Sequence, residues 1–312
     1  MNWDERLLSP GSNTSVLAAV DELFAAQLAA WPQLEKGVEN LRRGRSRKLS
    51  IRWFDLWVRH IPHRIGSTTA RVDPVSVRAR PCFLCEGNLP EEQRGIEFAD
   101  GLVVLANPYP ILDHHLTIVS KAHVPQRIVG KYSAMLDLAR ALPGYMILYN
   151  GPECGASAPD HFHFQACRHE GVPIVTDLEH RQRGQIPDYA RRVLVFSGKD
   201  RSWLEHRFQL LMRLLGKLSP ERPEPMVNVV VFHSDSSWHI IVFPRGRHRP
   251  QAFLTGDLML SPASIDLCGV PVLPVESDFE NVEATDIERV FEEVSLAEES
   301  FDEIVRSMQV AR

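Results

Sequence analysis

The sequence predicts an α+β fold made of two halves of similar plan, behind a helical N-terminal segment. Two observations carry this. The order strand–helix–strand–loop–strand is written twice, from about residue 116 and again from about residue 193. Ahead of both copies, residues from about Val16 to Arg43 place Leu17, Val20, Leu23, Phe24, Leu28 and Trp31 at helical spacing.

Taken in order, Pro32 breaks or kinks that helical stretch. The basic run Arg42-Arg-Gly-Arg-Ser-Arg-Lys48 reads as a solvated loop, with a phosphate-binding patch as the alternative. Leu102 to Ala106 and Leu116 to Val119 are short apolar runs between turn residues, and so strands. Tyr132 to Leu142 is a helix closed by Pro143-Gly144, and Tyr145 to Tyr149 is a strand. A turn-rich stretch from Asn150 to Pro159 leads into His161-Phe-His-Phe-Gln-Ala-Cys167. Its period of two puts His161, His163 and Gln165 on one face and Phe162, Phe164 and Ala166 on the other.

The second copy runs through a strand at Val193 to Phe196, a helix at Trp203 to Leu218 and a strand at Met226 to Phe232. A turn at His233 to Ser237 and a strand at Trp238 to Phe243 complete it, with His239 alone where the first copy has its cluster. An acidic amphipathic helix from about Thr285 to Met308 ends the chain, with Ile287, Val290, Phe291 and Val294 on its apolar face. The expected division is 1–80 helical, 81–185 catalytic, and 186–312 degenerate with the C-terminal helix.

The 312 residues suffice for a sizeable core, and 44% hydrophobic with 24% charged residues is ordinary for a globular chain. A net charge of −5 gives no global attraction to nucleic acid or to an anionic membrane. No apolar stretch is long enough to span a bilayer, and Met1 to Pro10 has no apolar signal core, so the expected location is the cytoplasm. Five cysteines, an odd number, argue against a disulfide framework. Cys154, Cys167 and Cys268 read as small buried residues.

Four groups of residues carry chemistry. Three polar side chains, His161, His163 and Gln165, on one face of an apolar strand are costly to bury without a role. Imidazole is a competent nucleophile toward phosphorus. The alternative is a pair of satisfied core histidines. The loop Asn150-Gly-Pro-Glu-Cys-Gly-Ala-Ser157 has the small residues that let backbone N–H groups approach an anion, with Asn150 and Ser157 as side-chain donors. Cys82-Phe-Leu-Cys85 has the spacing of a zinc knuckle, with His114, His115, His123 and His161 as candidate further ligands. A redox pair or two buried thiols are the alternatives. Arg245, Arg247 and Arg249 follow a strand and offer guanidinium forks to phosphate, or form a basic solvated loop. The stretch Ile61-Pro-His-Arg-Ile-Gly-Ser67 has no readable role.

The first three of these groups, together with the turn Asn107-Pro-Tyr-Pro110 and the strand His115-Leu-Thr-Ile-Val-Ser-Lys-Ala-His123, whose end reads equally well as a surface strand end, resemble the histidine-triad superfamily. They look most like its transferase branch: galactose-1-phosphate uridylyltransferases, diadenosine tetraphosphate phosphorylases and GDP-hexose phosphorylases. The resemblance spans roughly residues 81 to 167, with a weaker echo to about 279.

The resemblance implies a histidine-triad-like antiparallel sheet and a nucleotidyltransferase or phosphorylase. The donor would be a nucleoside diphosphate sugar or a dinucleoside polyphosphate, and the acceptor inorganic phosphate or a sugar phosphate. It implies His163 as nucleophile and Gln165 on the phosphoryl oxygens. Asn150, Gly155 and Ser157, with Arg245 on physical grounds, would bind substrate. Cys82, Cys85, His123 and His161 would hold a structural zinc. Glutamine in place of a third histidine favours transfer over hydrolysis. One departure stands out: Asp160 lengthens the loop between Pro159 and His161 by one residue. The competing readings are a non-catalytic nucleotide-binding scaffold and a hydrolase that releases a nucleoside monophosphate.

Overall fold

The computed structural model describes residues 2–51, 54–180 and 192–310. The expected boundary at 185/186 lies outside the described residues. Twelve strands are found among them. They are β1 (Leu7–Leu8), β2 (Arg45–Ile51), β3 (Phe54–His60), β4 (Gly95–Phe98), β5 (Leu102–Ala106) and β6 (Leu116–Ser120). Then come β7 (Tyr145–Asn150), β8 (His163–Arg168), β9 (Leu194–Gly198), β10 (Val227–Ser234), β11 (Ser237–Pro244) and β12 (Val272–Leu273).

Nine strands form one sheet in the order β1-β4-β5-β6-β8-β7-β10-β11-β9, antiparallel except for the short β1–β4 edge. The order shows the two copies. From the centre outward, β7-β8-β6 on one side matches β10-β11-β9 on the other, and the copies join where β7 pairs with β10, Asn150 opposite Asn228. In each copy a helix links the outer strand to the central one: Tyr132–Ala141 and Arg201–Leu218. In the second copy β11 carries only His239, stacked on Phe232 at 4.7 Å and sharing a hydrogen bond with Ser197 at 3.0 Å.

Local chemistry sets the element ends. Ser15 accepts from the Ala18 N–H and opens the helix Val16–Ala30; Pro32 then begins a second helix, Pro32–Arg43, at the position where its missing N–H costs nothing. Gly144, at φ 82°, takes the chain from the helix Tyr132–Ala141 into β7. Asp235 and Ser236, at φ 49° and 60°, form the two-residue turn between β10 and β11, so the expected turn is tighter and both strands are longer.

Helices cover one face of the sheet. Leu23 and Phe24, Leu136 and Leu138, Leu211 and Leu215, and Met308 bury Phe162, Phe164 and Ala166 beneath them. The opposite face, with Cys167, Leu148, Val230 and Ile241, is covered by the three-stranded sheet β12-β3-β2 and by C-terminal segments. His163 and Gln165 share this second face by alternation. No helix among the described residues is long and apolar enough to cross a membrane.

Three expectations change. The basic run from Arg42 is not a loop: it closes the helix at Arg43 and continues as β2, which pairs with β3. There Arg45 meets Glu276 at 2.7 Å and Arg47 bonds the Val282 carbonyl, so both cations are consumed by the fold. The C-terminal helix is two helices, Ala284–Val294 and Glu298–Val310. It breaks at Ser295 because the chain there turns to the end of β11, Leu296 donating to the Pro244 carbonyl at 3.0 Å. Arg245 does not point at a ligand cavity. It is buried, and its five N–H groups go to Val294 O, Asn228 Oδ1, Pro262 O, Arg247 O and His248 O.

Arg245 is therefore a brace between β11 and two C-terminal segments. Arg245→Ala is expected to destabilise the protein by about 3 kcal/mol or more, since it strands several buried carbonyls at once. A urea titration checks this; an unchanged midpoint contradicts it.

Candidate active site

His163 opens β8 at the point where β8 and β7 part. Their regular pairing ends at Leu148 opposite Gln165. Beyond it Gln126, fully buried, fills the gap: its Oε1 accepts from the His163 N–H at 2.8 Å, and its Nε2 donates to the Asn150 and His163 carbonyls at 2.9 Å each. The backbone of the residue is thus fixed on both sides.

The imidazole of His163 is fixed as well. Nδ1 lies 2.8 Å from the His161 carbonyl. A carbonyl only accepts, so Nδ1 carries the proton and Nε2 keeps its lone pair. Burial pushes the His163 pKa down to about 4, against the opposing pull of that carbonyl, so the ring is neutral at pH 7.

Gln165 is oriented by a residue that the sequence reading assigned to other work. His115 is buried, and its Nδ1 accepts from the Ile111 N–H at 3.2 Å. Its Nε2 therefore carries the hydrogen and donates to Gln165 Oε1 at 2.8 Å. Burial, then the charge of Arg64, lowers the His115 pKa to about 3, so it stays a neutral donor. With its oxygen engaged, Gln165 keeps its NH2 group as the donor on the strand face it shares with His163.

Asn150 braces the following loop. Its Oδ1 accepts from Asn228 Nδ2 at 2.7 Å, from the Ser264 N–H at 2.9 Å and from Ser264 Oγ at 2.7 Å. This ties the loop to the second half, and the oxygen has no capacity left for substrate. Gly155 has φ 97°, and a Cβ there would sit 2.6 Å from Ala263 Cβ, so only glycine fits. Gly155 and Ala156 line a cavity with Arg64, His248, Arg249 and Asp266. Burial raises the Asp266 pKa to about 6 despite two backbone N–H donors. The cavity joins the block around Arg64, which has no readable role in sequence, and the arginine run after β11. Ser157, half-buried, ends the loop, and its carbonyl accepts from Arg80 at 3.0 Å.

The cysteine pair is part of a cluster. One ligand atom each from Cys82, Cys85, His123 and His161 lie within 4.8 Å of one another. Cys82 Sγ is 3.4 Å and Cys85 Sγ 3.5 Å from His161 Nδ1, and Cys85 Sγ is 3.2 Å from His123 Nδ1. Sulfur and nitrogen sharing one tetrahedral zinc stand about 3.5 Å apart, so the four residues fit that ion. The outer nitrogen of His161 meets the Ser120 carbonyl at 2.8 Å, which keeps Nδ1 free to ligate. Regular strand pairing starts at His163, so His161 sits just before β8 and turns toward the cluster, while its carbonyl holds His163. His114 is not part of the cluster; it stacks on Phe24 at 4.5 Å and meets the Tyr145 hydroxyl at 3.2 Å.

Comparison with known proteins agrees with this architecture. Residues 23–168 match a domain of unknown function (DUF4922), and residues 170–310 match the "GDPGP1-like, C-terminal domain". No curated protein matches the sequence. Among solved structures, the chain is similar to yeast Ap4A phosphorylase Apa2 in complex with AMP, with a TM-score of 0.61 at 17% identity, covering 89% of this chain and 97% of that one. It is also similar to the same yeast enzyme in complex with Ap4A, with a TM-score of 0.62 at 18% identity, over 91% of this chain and 98% of that one. At such identity the likeness establishes the fold. The second half of the chain is thus similar to the GDPGP1-like C-terminal domain, and the fold as a whole is similar to that of the yeast Ap4A phosphorylase.

Proposed function

We propose that the protein is a nucleotidyltransferase of the phosphorylase type, acting on a dinucleoside polyphosphate or a nucleoside diphosphate sugar through a nucleotidyl-His163 intermediate. The carrying observation is the neutral imidazole of His163, with Nδ1 locked on a carbonyl and Nε2 unprotonated, beside the oriented amide of Gln165. The similar yeast phosphorylase structures, complexes with AMP and with Ap4A, support a nucleotide substrate.

In the first step Nε2 of His163 attacks the α-phosphorus, a P–N bond forms, and the P–O bond to the phosphorylated leaving group breaks. In the second step an oxygen of phosphate or of a sugar phosphate attacks the same phosphorus and the P–N bond breaks. Two displacements replace one, and both depend on positioning. The Gln165 amide stabilises charge on the phosphoryl oxygens. Cys82, Cys85, His123 and His161 would hold a structural zinc, which would fix the start of β8 and so the carbonyl that holds His163.

Gln165→Ala is expected to lower kcat by about a hundredfold, the scale of one lost donor to a transition-state oxyanion. His115→Ala, which frees the amide to rotate, lowers kcat by a smaller factor, and the double variant is no worse than Gln165→Ala. Additive losses in steady-state kinetics contradict the assignment.

The function is tested by incubating the protein with Ap4A, GDP-glucose and UDP-glucose, with and without inorganic phosphate. Phosphorolysis of Ap4A gives ADP and ATP and requires phosphate. Release of AMP at a rate independent of phosphate contradicts the proposal and identifies a hydrolase.

A further inference from the structure

Asp160, in the loop before His161, lies between two systems that the sequence does not connect. Its Oδ2 is 3.8 Å from Nε2 of His123, the nitrogen that faces away from the metal cluster. Its Oδ1 is 3.5 Å from Nη2 of Arg80. Arg80 Nη2 also donates to the Ser157 carbonyl at 3.0 Å, and its guanidinium lies 5.0 Å from the centre of the exposed Phe83 ring. The other terminal nitrogen, Nη1, is buried and has no partner. A buried cationic N–H without an acceptor is costly and is seldom left so.

We propose that Asp160 is a positioning residue that couples the metal cluster to the phosphate loop. Its carboxylate backs His123 and orients that ring for the ion, as outer carboxylates do for metal-bound imidazoles. The same carboxylate holds Arg80 against Ser157, so that Nη1 meets an oxygen of the nucleotide's phosphate chain on binding. The metal thereby sets not only β8 but also the loop ahead of it. His161 has the Ser120 carbonyl behind its outer nitrogen, and His123 has Asp160. The proposal rests on the transferase reading for its substrate arm only.

The test uses the zinc-loaded full chain and two readouts. Zinc affinity is measured by competition with a chromophoric chelator for wild type, Asp160→Ala, Asp160→Asn and Arg80→Ala. Asp160→Ala is expected to weaken zinc by about 10- to 100-fold, the usual effect of removing an outer carboxylate. Asp160→Asn, isosteric and the substitute should the alanine variant not fold, weakens it in the same direction. Arg80→Ala leaves zinc affinity unchanged and instead raises KM for the donor with kcat little altered; Arg80→Lys restores it only in part, since one ammonium does not span both acceptors. Wild-type zinc affinity in both Asp160 variants overturns the proposal whatever the substrate proves to be. An unchanged KM in Arg80→Ala overturns its phosphate arm. Absence of turnover by wild-type protein, with the zinc effect present, refutes the transferase reading and leaves the metal coupling standing.

Discussion

His163→Ala abolishes nucleotidyl transfer: kcat/KM falls by about four orders of magnitude or more, the scale seen when a covalent nucleophile is removed. The fold survives. His163 contributes one side-chain hydrogen bond, to the His161 carbonyl, whereas its backbone is held by Gln126 whatever the side chain. Loss of one such bond costs about 1 kcal/mol, so the melting temperature moves by only a few degrees. The pair of readouts separates chemistry from folding. A variant that keeps a tenth of wild-type turnover with any accepted donor contradicts the assignment of the nucleophile. His161→Ala behaves differently: it removes a cluster ligand and loosens the start of β8, so it costs both metal and activity.

Stripping the metal lowers stability more than any surface substitution. The protein is expected to bind one zinc per chain, and its chelated form to melt about 10 °C lower, since an ion held at a thousandfold excess over its dissociation constant contributes about 4 kcal/mol. The cluster joins segments far apart in sequence: Cys82 and Cys85 on the knuckle, His123 after β6 and His161 before β8. Closing these loops restricts the unfolded chain as well as bracing the folded one. Zinc restores the melting temperature and magnesium does not, because thiolate and imidazole donors suit the softer ion. Calorimetry with and without a chelator decides it. An unshifted transition, with no stoichiometric zinc in the purified protein, contradicts a structural metal.

What could be read in the sequence was local pattern. The alternation from His161 to Cys167 placed the two faces of β8 from His163 onward but not His161, which precedes the strand and turns to the cysteines, and helical spacing with Pro32 placed the two N-terminal helices. The repeated strand and helix order foretold the two copies that flank the β7–β10 seam. The losses came where meaning depends on a distant partner. The strand β2 hides beneath charge: Arg45 and Arg47 look like a loop until Glu276 and the Val282 carbonyl are seen to receive them. Arg245 looked like a phosphate fork because nothing in its neighbourhood shows that Val294, Pro262 and Asn228 converge on it. Gln126 belongs to no motif, and His115 reads in sequence only as the start of a strand and a candidate metal ligand. Their roles arise only because β6 pairs with β8, so that His115 reaches Gln165, and because Gln126 occupies the gap where β7 and β8 part. The added Asp160 was visible as an oddity of spacing, but its two neighbours, His123 and Arg80, are 37 and 80 positions away.

The central claim is a covalent bond between His163 and a nucleotide phosphorus. The direct measurement incubates protein with Ap4A or GDP-glucose labelled at the α-phosphate, quenches it, and maps the label by alkaline digestion and mass spectrometry. The account predicts a stoichiometric adduct on His163, stable in alkali and lost in acid, absent from His163→Ala and discharged by inorganic phosphate. Turnover of the same donor, with no adduct trapped at any time before steady state and with inversion of configuration at phosphorus, would show a single direct displacement and contradict it.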